Sequence, residues 1–243
     1  MNNLLAILAM SAPILITGSV ALRMKMGPVS LRLLLAFSAG YLFSLSIMHL
    51  MPEVFATSPG RVGGLFIVLG FCLQLVIDTF STGIEHGHVH LHTHDCHKQL
   101  PVGIILGLYI HSFLEGLPVF DPHVQEGSAT NYQLIFGLAV HNVPITIAFA
   151  ALLTEHEHRV TRRLLLLVLF SLMAPFGYLL SYVLHSMGIQ GNVYYSSAAY
   201  ALVIGIFLQI STAILFESSD HHRYNLKKVL VMACGILLAY FIS

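Results

Sequence analysis

His111-Ser112-Phe113-Leu114-Glu115-Gly116-Leu117-Pro118 lies in the middle of an otherwise apolar run. A histidine and a carboxylate four residues apart stand one above the other on one face of a helix. The run around them, roughly 102–120, is as long as a helix that crosses a bilayer core. An ionisable pair inside such a span is expensive, and so marks a functional site. A second apolar run carries His141-Asn142-Val143-Pro144 at a comparable position. The fold follows from asking what kind of chain would bury both.

Composition answers the first part. Of 243 residues, 56% are hydrophobic and only 9% are charged, and the mean hydropathy is +0.81. A soluble domain would carry about a quarter charged residues. Eight apolar windows can each cross a bilayer: roughly 3–22, 31–51, 62–83, 102–120, 133–153, 163–184, 195–216 and 227–242. The expected fold is an all-α polytopic membrane protein with eight transmembrane helices, forming one transmembrane domain over 1–243. The first window resembles a signal peptide in length. However, it has no basic residue before it, and Arg23 and Lys25 follow it, so it reads as a span. Zero formal net charge leaves nucleic-acid binding without an electrostatic basis. Cys72, Cys96 and Cys234 are too few and too scattered for a disulfide framework.

Basic residues orient the chain. Arg23, Lys25, Arg32, Lys98, Arg159, Arg162, Arg163, Arg223, Lys227 and Lys228 all fall on one side of this topology, and only Arg61 falls on the other. The first set marks the cytoplasm, which puts both termini outside. Counting inward at 1.5 Å per residue, His111 lies roughly 14 Å deep in span four and His141 roughly 12 Å deep in span five, from opposite faces. His111, Glu115 and His141 are therefore expected at one level near the midplane. Imidazole and carboxylate ligands suit Zn²⁺, Fe²⁺ or Mn²⁺. The plainer alternative is a polar pair that only ties two helices together.

The other candidates lie nearer the faces. His49 and Glu53 close span two at the exterior, where they would form a cation entrance. Asp78 near the inner end of span three, with Glu217, His221 and His222 after span seven, would form an exit. Between spans three and four, a loop at about 85–98 carries His86, His88, His90, His92, His94 and His97. Histidine-rich tracts read as metal-binding, and a cytoplasmic loop suits buffering or sensing.

Taken together, these motifs resemble the ZIP family of divalent-metal transporters, and are close to a bacterial branch of it. His111-Ser-Phe-Leu-Glu115-Gly116 is similar to the family's span-four signature and His141-Asn-Val-Pro144 to the opening of its span-five motif. His49-x-x-Pro-Glu53 resembles its span-two signature, and Gln209-Ile-Ser-Thr-Ala-Ile-Leu-Phe-Glu217 its span seven. The resemblance covers essentially the whole chain. It implies a bundle built on inverted repeats, a metal held between spans four and five, movement of one helix group against another, and a homodimer. It also brings Ser112 and Asn142 into the transport site, where relatives place Asn and Asp. Ile145 stands where the family usually has a carboxylate, so Glu115 is left to offset only half of a divalent charge.

The function expected from these residues is divalent-metal transport, with zinc as the first choice and Fe²⁺, Mn²⁺ or Cd²⁺ as further cargo. Direction is into the cytoplasm, in a bacterial inner membrane, with no organic cofactor and no enzymatic activity. A metal sensor or non-transporting relative ranks second, on the loss at Ile145. An intramembrane zinc hydrolase ranks third, because no His-Glu-x-x-His pair and no seryl motif is present.

Overall fold

The computed structural model describes residues 3–24, 26–81, 101–120, 129–188, 193–216 and 226–242. Among them the chain is entirely helical: α1 (Asn3–Ala21), α2 (Pro28–Leu45), a π-helical turn (Ser46–Leu50), α3 (Met51–Thr57), α4 (Gly60–Ser81), α5 (Val102–Gly116), a 3-10 turn (Leu117–Val119), α6 (Ala129–His156), α7 (Val160–Ser186), α8 (Val193–Phe216) and α9 (Leu226–Ile242). Seven stretches are long and apolar enough to cross a membrane, with Pro28–Thr57 counting as one. The eighth, α9, has 17 residues, which is the lower bound for a spanning helix. Helices suit this solvent because they satisfy every backbone polar group within the segment.

Span two runs further than the sequence suggests. Its apolar window stops at 51, just before Pro52, a residue that ordinarily breaks a helix interior. Instead, the π turn draws the Met51 N–H back to the Ser46 carbonyl, and Pro52 falls in the first turn of α3, where no N–H is needed. The helix therefore continues to Thr57.

The helices sort into two groups. In one, α1 packs on α6 and α7, and α5 packs on α7; in the other, α2 packs on α9 and α8, and α4 packs on α8. The groups touch where α2 meets α6 and where α4 meets α5. Apolar burial gives little net attraction between helices in lipid, so association depends on close backbone contact at small residues. Three reciprocal glycine pairs supply it. A Cβ at Gly70 would fall 2.0 Å from the Leu202 carbonyl, and one at Gly205 would fall 2.0 Å from that of Ile67. Gly40 and Gly235 meet the same obstacle across α2 and α9, as do Gly116 and Gly177 across α5 and α7.

These pairs also expose the inverted repeat. Gly205 follows Gly40 in sequence by as many residues as Gly235 follows Gly70. The α2–α9 contact is thus repeated as α8–α4, with each helix reversed in direction. α5 and α6 lie between the two halves in sequence and carry the polar centre.

Apolar packing distinguishes the two sides of the membrane. Ile14, Ile105, Leu108, Ile145, Phe149, Leu152, Leu153, Leu167 and Phe170 form a cluster drawn only from α1, α5, α6 and α7. The larger cluster joins both groups, but its members from α1, α6 and α7 run from mid-membrane toward the N-terminal side, among them Met10, Leu134, Leu138 and Tyr178. The groups therefore share one core on the side where α1 begins and keep separate cores on the other. On that other side a short turn joins α6 to α7. There the Arg159 backbone N–H, and then Arg162, hold the Glu157 carboxyl below the usual carboxylate range.

Candidate metal centre

Local sequence explains how α5 and α6 present their polar faces. Pro118 cannot extend α5 as a regular helix, so the chain tightens into the 3-10 turn, and Ser181 of α7 donates to the Leu117 carbonyl at 2.8 Å. Gly116 lets the end of α5 close against the α7 backbone at Ala174. Pro144 lies inside α6, where its missing N–H leaves the Val140 carbonyl without a helical donor, one residue before His141.

These helices bring His111, Glu115 and His141 together. Glu115 Oε1 lies 3.0 Å from His111 Nε2 and 3.6 Å from His141 Nε2. One ligand atom from each lies within 4.8 Å of the other two. A tetrahedral ion with bonds near 2.1 Å separates its ligands by roughly 3.4 Å, so these gaps bracket what such an ion needs. All three side chains are at most 1% exposed. The imidazoles meet edge to face with centroids 5.9 Å apart, and Phe207 of α8 stands 6.4 Å from His141.

Their other ring nitrogens point outward. His111 Nδ1 lies 3.1 Å from Gln74 Oε1 on α4, and His141 Nδ1 lies 2.9 Å from Ser38 Oγ on α2. An N–H spent there leaves Nε2 as a lone pair facing the carboxylate, the arrangement that favours metal ligation. Among the described residues Glu115 Oε2 has no hydrogen-bond partner. Acceptors facing one another in a dry site repel unless a cation or a shared proton sits among them.

Ser112 and Asn142, each next to a histidine, are buried, and among the described residues Ser112 Oγ and Asn142 Oδ1 have no hydrogen-bond partner. Successive helix residues point about 100° apart, so both sit on the flank of the histidine–glutamate face. Ile145 belongs to the apolar cluster of the site-bearing group. Asp78 is half-buried: Gln74 donates to its Oδ1 at 2.9 Å, and Gln209 of α8 donates to its Oδ2 at 2.8 Å. It is thereby connected to His111 through one side chain. His49 lies in the π turn against the Ala239 backbone of α9, and Glu53 one turn later is half-buried; neither joins the cluster among the described residues. His86, His88, His90, His92, His94, His97, Glu217, His221 and His222 lie outside the described residues.

Sequence reasoning missed Ser38 and Gln74. Gln74 could have been found from its spacing, since an amide and a carboxylate at Gln74 and Asp78 interrupt one apolar face. Ser38 gives no such signal, because lone serines are common in membrane helices.

The chain is thus an integral membrane protein of two packed helix groups, with a buried group of two imidazoles and one carboxylate that could hold a cation. Residues 97–243 match the family model described as ZIP Zinc transporter, and the chain belongs to that family. It is also similar to Protein zntD of Dictyostelium discoideum, with 26% identity over 168 residues covering 65% of this chain and 24% of that protein. The chain spans about a quarter of that relative's length.

Proposed function

We propose that the protein carries a divalent cation, zinc first, into the cytoplasm through a single site formed by His111, Glu115 and His141. The observation that carries this reading is the convergence of two imidazole nitrogens and one carboxylate oxygen in a fully buried centre. Two nitrogen donors favour Zn²⁺ over the hard cations Ca²⁺ and Mg²⁺. Ser112 and Asn142 supply neutral oxygens beside the site, and Ile145 removes the second acid, so one metal is carried at a time.

Direction follows from the two sides. On the side where α1 begins, shared apolar packing closes the site. On the opposite side the helix groups keep separate cores, and Gln74, Asp78 and Gln209 line a polar connection. The basic residues make that side the cytoplasm. His49 and Glu53 at the outer face would collect cations, and the loop histidines with Glu217, His221 and His222 would receive them.

The test is Zn²⁺ flux into proteoliposomes. The parent protein is expected to take up Zn²⁺, and His111→Ala and Glu115→Ala each to abolish uptake. Unchanged uptake in both variants refutes the site. A parent that binds Zn²⁺ but shows no flux points instead to a metal-sensing relative, a reading that the loss of the acid at Ile145 would then explain.

A further inference from the structure

Both ligand histidines are held by side chains that belong to the opposite helix group. Gln74 sits on α4 and Ser38 on α2, both at 0% exposure, while His111 and His141 sit on α5 and α6. These bonds cross where the groups touch most, α4 with α5 and α2 with α6.

The orientation of the Gln74 amide is decided one step further away. An ionised carboxylate only accepts hydrogen bonds. Asp78 takes one donor on each oxygen, Gln74 Nε2 at 2.9 Å and Gln209 Nε2 at 2.8 Å. With Asp78 ionised, Gln74 gives it the amide N–H and turns its carbonyl oxygen to His111, which then carries its proton on Nδ1. The lone pair then sits on Nε2, 3.0 Å from Glu115. The Ser38 hydroxyl can accept from His141 Nδ1 in the same sense.

We propose that Gln74 and Ser38 are positioning residues that clasp the two ligand histidines to the opposite helix group, with Asp78 setting the polarity of the Gln74 clasp. Cargo affinity is thereby tied to how the groups sit against each other. While α5 and α6 lie on α4 and α2, both imidazoles are oriented and present Nε2. When the groups shift, each Nδ1–H loses its acceptor, the ring is freed to rotate or change tautomer, and the site loosens. This inference rests on the transport-site reading above and assigns it a release step.

The experiment is Zn²⁺ binding by calorimetry to purified full-length protein, with the six loop histidines from His86 to His97 replaced by glutamine to remove their contribution. Gln74→Leu and Ser38→Ala are each expected to weaken binding about 10–100-fold, the usual cost of losing such a partner. Asp78→Asn should weaken it as well, because an amide at that position lets Gln74 turn over and donate to His111. Adding Gln74→Glu to Asp78→Asn restores the polarity, since the carboxylate so introduced accepts from both His111 and the new amide, and should recover most of the affinity. A merely structural role predicts no such recovery, and the double variant keeps the test decisive should Gln74→Leu fail to fold. Parent-like binding in Gln74→Leu and Ser38→Ala, or a double variant no tighter than Asp78→Asn, overturns the clasp. His111→Ala and Glu115→Ala separate the two ideas: if these bind as the parent does, the site reading fails, and if only they lose binding, the clasp alone fails.

Discussion

At the residue scale, the buried His111–Glu115–His141 group holds one acid, and Ile145 stands where the resemblance to the family leads one to expect another. That side chain is fully buried in the apolar cluster shared by α1, α5, α6 and α7, one helical turn from His141. Ile145→Glu would set a second carboxylate beside the site, but among apolar side chains that offer it no donor. An uncompensated buried charge costs several kcal/mol. The variant is expected to lose on the order of 3 kcal/mol of stability in chelator and to regain it when Zn²⁺ is added; thermal unfolding with and without the metal checks this. Equal melting in both conditions would mean that a carboxylate at this position does not reach the cation. The proximity of His111 and Glu115 was legible from their spacing, because one helical turn separates them whatever the rest of the chain does. Their approach to His141 depended on two depths agreeing, which the topology allowed to be estimated.

At the element scale, glycine decides which helices pair. Gly70 meets the Leu202 backbone of α8, whereas Gly64, on the same helix, has open space at its Cβ position. Gly70→Ala should destabilise by about 1–3 kcal/mol, since a backbone carbonyl cannot move aside. Gly64→Ala should be neutral or stabilising by up to about 1 kcal/mol, because alanine is the better helix former. Thermal stability of the two purified variants distinguishes them, and equal effects would rule out the close α4–α8 crossing. The apolar windows located every span but understated span two. Proline normally ends a helix, and nothing in hydropathy announces that a π turn will shift the hydrogen-bond register just ahead of Pro52.

At the scale of the whole molecule, the proposed transport depends on orientation and on the two helix groups. The orientation proposed from lysine and arginine has Arg61 outside and the α6–α7 turn inside. Arg61 and His158 are both exposed, so each can report its side. In a Cys96→Ser background, Arg61→Cys should react with an impermeant maleimide added to right-side-out vesicles, and His158→Cys only after permeabilisation. The reverse pattern would invert the direction of transport proposed above. Native Cys72 and Cys234 are exposed on spanning helices, where the lipid keeps a charged reagent away.

The sequence by itself determined what depends on distance along the chain. Length and hydropathy set the spans, the basic residues imply their direction, and the four-residue spacing put His111 and Glu115 on one face. Each follows because a helix in lipid satisfies its own backbone and so is readable one segment at a time. Only the tertiary structure decided which helices touch and which of their faces turn inward. Gly70 opposite Gly205, Gln74 on His111, Ser38 on His141 and Gln209 on Asp78 all depend on helix rotation and crossing. Those quantities are set by close packing between segments far apart in sequence, and the apolar pattern of a single span does not encode them.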